Sequence, residues 1–334
     1  MANYSLISYK SPMATPVIRF QIKNVGRESV HWGVLFDNRV APLAEPYSTT
    51  ADFVRFGLAE AKAAKPDHAT LALSDLRILP PVTPNQQFVC QGVNYTSHLR
   101  ESGMAPGDVP FNMLFTKSPH CIAGAYDDVV RPRHVRLLDY EIELGLVMKT
   151  DLRSKRKFTT DTLHEVLAGI TIVNDVSARD VQLPQGQFYK GKSYRGFGPV
   201  GPVLLLLEEE EWRLLPALHM TLAVNGQTRQ DDLCRSMIHH PHQTLSELSG
   251  LHDMAAGDLI ATGTPAGCAA KAPGKAAMFI ARHFLSEKAK WHIFIRNGLK
   301  NPKYLQPDDV MELRIRTDDG RLDLGVQRTR VVAE

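Results

Sequence analysis

The chain has 334 residues, 43% hydrophobic and 22% charged, enough apolar material for one large core or two domains and outside the disordered and collagen-like classes. Its 39 basic and 36 acidic residues leave a formal charge of +3 without a long Lys/Arg tract, so small molecules are expected as partners, with no nucleic acid and no membrane. Apolar runs such as Pro202 to Leu207 are too short to cross a bilayer, and Cys90, Cys121, Cys234 and Cys268 are scattered without a CxxC pair. The expectation is a soluble cytoplasmic protein whose thiols are free and structural.

In chain order, PVIRFQI and HWGVLFD read as strands around a DNRV turn, and Ala51 to Ala64 has helical composition. Three prolines in LRILPPVTPNQQFVCQGVNY mark a boundary near residue 82, giving a small N-terminal α+β unit, 1–82, and a larger unit, 83–334. The second is predicted to be β-rich. Its short apolar runs include FVCQGV, EIELGLVM, AGITIVND, HMTLAVNGQTR and GDLIATGTP, with hairpin signals at NGQ and DDGR. Helical stretches are expected around Thr160 to Ala168, Ala178 to Val181 and Thr244 to Leu251. There is no internal repeat, and no GxGxxG, P-loop or GxSxG motif.

Several stretches carry candidate chemistry, each with an ordinary structural alternative. In LLDYEIELGLVM, alternation puts Tyr140, Ile142, Leu144, Leu146 and Met148 on one face of a strand and Asp139, Glu141 and Glu143 on the other, facing either water or a cation. In AGITIVNDVSARDVQ an apolar run delivers Asp175 to a strand end, where it either caps a turn and pairs with Arg179 or joins the glutamates. Carboxylates without matching His or Cys describe a hard cation such as Mg²⁺, Mn²⁺ or Ca²⁺. His98 and Glu101, three apart in NYTSHLRESG, are neighbours on a helical turn, as a general-base pair or a surface pair. Lys190 and Lys192 precede a Gly/Pro turn, where a lysine either meets an oxyanion or is simply exposed. In GDLIATGTPAG the turn amides and the Thr264 hydroxyl are suited to holding a carboxylate, as are many ordinary turns.

Taken together, GVNYTSHLRESG, FTKSP, DYEIELGLVM, NDVSARDVQ, GKSYRGFGPVGP, VNGQTRQD, GDLIATGTPAG and YLQPDDVMELRI resemble the fumarylacetoacetate hydrolase family in content, order and spacing, from about Gln91 to the C-terminus. The resemblance implies an α+β, β-rich fold, a mixed β-roll catalytic domain behind a smaller N-terminal domain, and a homodimer. It implies a divalent metal, Mg²⁺ or Mn²⁺, on Glu141, Glu143 and Asp175, a His98–Glu101 dyad on a lid segment, and substrate contacts from Arg179, Gln182, Lys192 and Thr264. The implied activity is hydrolysis of a carbon–carbon bond in a 1,3-diketo acid such as an acylpyruvate. The dyad would activate water, and the metal and Lys192 would stabilise the departing enolate. Decarboxylation, isomerisation or dehydration of a 2-oxo acid would use the same site; a catalytically silent metal-binding scaffold is a further alternative, against which the retained dyad and ligands speak.

Two features depart from the family pattern. KSYRGF places Arg195 where many members carry an acid. The stretch of about 271–299, with Arg282, His283, Trp291 and His292, reads as an insertion that caps the pocket or extends a dimer interface. His239, His240 and His242 in MIHHPHQ are expected at a loop or helix start rather than on a soft metal.

Overall fold

The computed structural model describes residues 14–23, 29–101, 103–104, 110–271, 283 and 285–334. Among these, thirteen strands form one mixed sheet and five form a second, with short helices around them. The predicted α+β, β-rich architecture is therefore present. No helix among the described residues is long and apolar enough to cross a membrane.

The large sheet is organised around Ile142–Met148, which pairs antiparallel with Leu167–Asn174 on one side and Leu259–Ala261 on the other. Beyond Leu259–Ala261 lie Phe88–Gly92, in parallel, and then Met113–Lys117. In the other direction Leu167–Asn174 pairs with Leu204–Leu206, and that strand with the N-terminal Thr15–Ile22. His31–Phe36 and Arg39–Pro42 continue the same sheet.

Every residue of Ile142–Met148 is buried, as expected of a central strand covered on both faces. Ile142, Leu144, Leu146 and Met148 join one apolar cluster with Met220, Leu222, Met311, Leu313 and Ile315 of the second sheet. Val147, of opposite parity, belongs to a cluster with Val17, Trp32 and Phe53. Each such side chain contributes roughly 1.5–3 kcal/mol by leaving water, which helps offset the cost of burying the acids at the start of the strand. Gly145 permits the tight pairing, because a Cβ there would lie 2.8 Å from Val173 Cγ2 and 2.9 Å from Thr171 Cγ2.

The run from Leu137 is not one continuous strand. Leu138–Asp139 pairs with Ser177–Ala178, and the ladder resumes at Ile142. Between them the Asn174 side-chain oxygen accepts from Glu141 N at 3.2 Å, and Asp175 N donates to Glu141 O at 2.9 Å. With Ile142 opposite Asn174, this exchange sets Glu141 beside Asp175.

The predicted hairpin turns are present. Asn225 and Gly226, both at positive φ, join Leu218–Val224 to Gln227–Leu233, and Gly320 turns the chain between Val310–Thr317 and Asp323–Ala333. The stretch Thr160 to Ala168 is helical only to Val166, since Leu167 already begins a central strand. The MIHHPHQ run starts the helix Pro241–Leu248, with His240 at its N-cap. All four cysteines are free and buried, and burial pushes each thiol above its ordinary value.

His219 ties the second sheet together at its rim, its ring nitrogens lying 2.6 Å from Asp231 and 2.9 Å from Asp318. These hydrogen bonds raise its pKa above 6.5. The resulting stabilisation is fully present below the unfolded-state pKa and is lost as pH rises through the folded one. A proton NMR titration of His219 is expected to show a midpoint above 6.5, and Asp231→Asn is expected to bring it down toward that value.

Candidate active site

The two central strands bring Glu141, Glu143 and Asp175 together. One carboxylate oxygen from each lies within 4.8 Å of the others, and all three residues are buried. Glu141 and Glu143 share a strand face by parity; Asp175 follows the paired strand. The acids therefore turn inward, and the solvent-facing alternative does not hold.

Asp139, the third acid of the run, is also fully buried. Its carboxylate accepts from Arg179 Nε at 2.8 Å and from the amides of Tyr140, Ala269 and Ala270 at 3.0, 2.8 and 3.0 Å. It acts as a bracket between the Arg179 side chain and the loop after Thr264. Arg179 is fully engaged as well, donating to Glu141 Oε1 at 2.5 Å and to Gln182 Oε1 at 2.8 Å. Its position at the start of helix Arg179–Gln185 follows from the short Ser177–Ala178 strand that precedes it.

Lys192, at the end of the short helix Phe188–Lys192, donates to Glu141 Oε2 at 2.6 Å and to Asp175 Oδ2 at 2.5 Å. Lys117 takes the other Asp175 oxygen at 2.6 Å and the Phe197 carbonyl at 2.7 Å. Lys190 points elsewhere, onto Gln185, and Arg195 is exposed. Glu143 has no ammonium partner among the described residues; it accepts from Gly263 N at 2.9 Å.

This asymmetry governs the electrostatics. Four buried carboxylates face three cations, Lys117, Arg179 and Lys192, so the cluster is one positive charge short. Burial, together with Asp175 and Glu141, pushes the Glu143 carboxyl well above its usual range. For Glu141 burial acts in the same direction, but Arg179 and Lys192 overcome it and hold its pKa low. A hard divalent cation fits this oxygen-only donor set, and its charge would let Glu143 ionise. The residues present therefore fit a divalent metal.

His98 and Glu101 lie on the helix Thr96–Glu101, as the sequence predicts, but they are not joined by a hydrogen bond. Glu101 accepts from Gly267 N at 2.7 Å and pairs with Lys271 at 2.9 Å, while His98 Nδ1 is buried without a partner among the described residues. Burial lowers the His98 pKa, against the pull of Glu141. Thr264 is buried, its hydroxyl oxygen accepting from Gln230 Nε2 at 2.8 Å. That leaves its own hydrogen to donate.

Two supporting residues escaped the sequence reading. Lys117 lies in the FTKSP stretch and shares strand parity with Met113 and Phe115, an inward-facing signal. Gln230 receives Ile142 N at 3.0 Å and braces Thr264 and the Pro265 carbonyl; its place in a polar hairpin strand gave no sign of this. Of the predicted insertion, residues 272–282, including Arg282, and 284 lie outside the described residues. The helix Glu287–Gly298 carries Trp291 and His292 and packs Phe294 against a small cluster of Leu137, Ala269 and Tyr304.

Residues 87–332 match the family described as fumarylacetoacetate (FAA) hydrolase C-terminal. The chain is 36% identical over 203 residues to oxaloacetate tautomerase YisK of Bacillus subtilis, a match covering 59% of this chain and 64% of that protein. It is 30% identical over 272 residues to the mitochondrial oxaloacetate tautomerase FAHD2A of Bos taurus, covering 79% and 82% of the two. Among solved structures, the fumarylacetoacetate hydrolase of Exiguobacterium antarcticum superimposes with a TM-score of 0.69 at 28% identity, covering 96% of this chain and 100% of that one.

Two measurements probe the site directly. Millimolar Mg²⁺ or Mn²⁺ is expected to raise the melting temperature of the wild-type protein and to leave that of Glu143→Ala unchanged, because only a site with its ligands intact gains from binding. Asp139→Ala, which leaves Arg179 Nε and the Tyr140, Ala269 and Ala270 amides without their acceptor, is expected to cost about 3–5 kcal/mol of stability in chemical denaturation.

Proposed function

The chain belongs to the fumarylacetoacetate hydrolase family, and we propose that it is a divalent-metal-dependent enzyme that interconverts the keto and enol forms of an oxaloacetate-like 2-oxo acid. The observation that carries this reading is the juxtaposition of the Glu141–Glu143–Asp175 cluster and the Lys192 ammonium with a buried His98 whose Nδ1 has no partner among the described residues. Mg²⁺ or Mn²⁺ bound there would take the substrate's carboxylate and 2-oxo oxygen and polarise the carbonyl.

The chain's own groups supply the remaining steps. Burial favours the neutral form of His98, so its imidazole is able to take the proton from the carbon next to the carbonyl; the enol results when the 2-oxygen takes up a proton from solvent, and ketonisation reverses both transfers. Lys192 Nζ, which donates to Glu141 and Asp175, is the cation that would balance negative charge developing on the 2-oxygen. The Thr264 hydroxyl donates to the substrate carboxylate, its oxygen held by Gln230. Gln182, its side-chain oxygen held by Arg179, is assigned a contact with the same substrate.

Two relatives that bear the name oxaloacetate tautomerase support this substrate class, one of them aligned over most of both chains. The separation of Glu101 from His98 supports a proton relay over paired activation of water. Hydrolysis of an acylpyruvate is the second reading, favoured by the presence of both residues on one short helix. It requires Glu101 to leave Gly267 and Lys271 and turn to His98.

Purified protein with Mg²⁺ or Mn²⁺ is expected to accelerate loss of the enol absorbance of oxaloacetate without release of carbon dioxide, and EDTA is expected to remove the effect. His98→Ala should lower kcat by roughly 10²–10⁴-fold while Mn²⁺ affinity stays near wild type. Metal-dependent formation of pyruvate and a free acid from an acylpyruvate, with the tautomer ratio of oxaloacetate unaffected, would establish the hydrolase reading instead.

A further inference from the structure

We propose that the two buried lysines on Asp175 have different tasks: Lys117 is a positioning residue that fixes the carboxylate for a cation, and Lys192 is the charge that an arriving cation displaces. The inference rests on the reading of the acid cluster as a divalent-metal site and extends it to metal recognition.

The distinction follows from where each ammonium is anchored. Lys117 ends the strand Met113–Lys117, its backbone paired directly with Phe88, and its side chain is fully buried. One of its bonds goes to Asp175 Oδ1 and the other to the Phe197 carbonyl, a neutral acceptor that also receives Val176 N at 3.1 Å and is no part of the acid cluster. The Phe88 ring lies 5.4 Å from Nζ, and Ser118 N, the next amide, donates to Ser193 Oγ at 2.9 Å. A cation placed among the acids therefore leaves Lys117 with its backbone anchor and its hold on one Asp175 oxygen.

Lys192 Nζ also has a ring beside it, Phe115 at 5.5 Å, but among the described residues it has no neutral hydrogen-bond acceptor. Among the described residues its hydrogen bonds go only to Glu141 Oε2 and Asp175 Oδ2, oxygens of two of the three candidate ligands. It bridges the gap in which a cation would lie and compensates part of the charge deficit there. A divalent ion competes for those same oxygens and, with all four carboxylates ionised, leaves the surroundings one positive charge in excess. Lys192 then loses both acceptors and is released toward an anionic substrate, whereas Lys117 continues to hold Asp175 Oδ1 and leaves Oδ2 for the ion.

The two substitutions are thus expected to move metal affinity in opposite directions. Calorimetric titration of the metal-free protein with MnCl₂ should show binding about tenfold weaker for Lys117→Met, the loss typical when a ligand's supporting partner is removed. For Lys192→Met it should be tighter than wild type, since its competitor is gone. Lys117→Arg, which keeps the charge but not the geometry, should also weaken binding and so separates position from charge. Wild-type affinity in both Lys117 variants, or shifts of the same sign at Lys117 and Lys192, would overturn the proposal while leaving the metal site intact. Should neither Lys117 variant fold by circular dichroism, Lys192→Met decides alone, unchanged or weaker binding being the negative result. A wild-type protein that takes up no Mn²⁺ overturns both the metal reading and this one.

Discussion

Four carboxylates packed into a dry interior are the constraint around which the rest of this molecule is arranged. An unpaired buried charge costs several kcal/mol, and adjacent like charges add to that cost. Asp139, Glu141 and Asp175 are each matched by a buried cation, and Glu143 is left with one backbone amide. The order of these partners gives the site its polarity. Permanent charges and amides sit behind the acids, and the imbalance is concentrated at Glu143.

The sheet makes this arrangement reproducible. A one-residue slip between Ile142–Met148 and Leu167–Asn174 would send Glu143 to the apolar side and Ile142 to the charged side. The apolar residues of the even face, packed against the second sheet, resist such a slip. Core packing on one face thus holds the chemical register on the other.

Much of this was legible in the sequence because it depends on alternation and on residue type. The shared face of Glu141 and Glu143, the strand-end location of Asp175, the helix bearing His98 and Glu101, and the turns at Asn225–Gly226 and Gly320 all follow from local pattern. What did not follow are relations across the fold. Asp139 has the same parity as the glutamates, but its role as a bracket depends on amides 130 and 131 residues away. Lys117 reads as an ordinary strand-end lysine until its register with Phe88 carries it beneath Asp175. Likewise nothing near Glu101 indicates that Gly267 and Lys271, far along the chain, engage its carboxylate. Identity and spacing disclose which groups are present; long-range pairing decides which of them meet.

The loop held by Asp139 has a bearing on how such a chain diversifies. Ala269 and Ala270 are pinned to the acid ladder, and Asn301 Nδ2 donates back to the Ala269 carbonyl at 2.9 Å. Gly298 lies so close to Leu137 that a Cβ would come within 2.6 Å of it. The chain therefore leaves this region and returns to it at two clamped points close together. Length and composition between such points cost little in loop-closure terms. Chain between these points can therefore lengthen at small entropic cost while its two ends stay held beside the acid ladder.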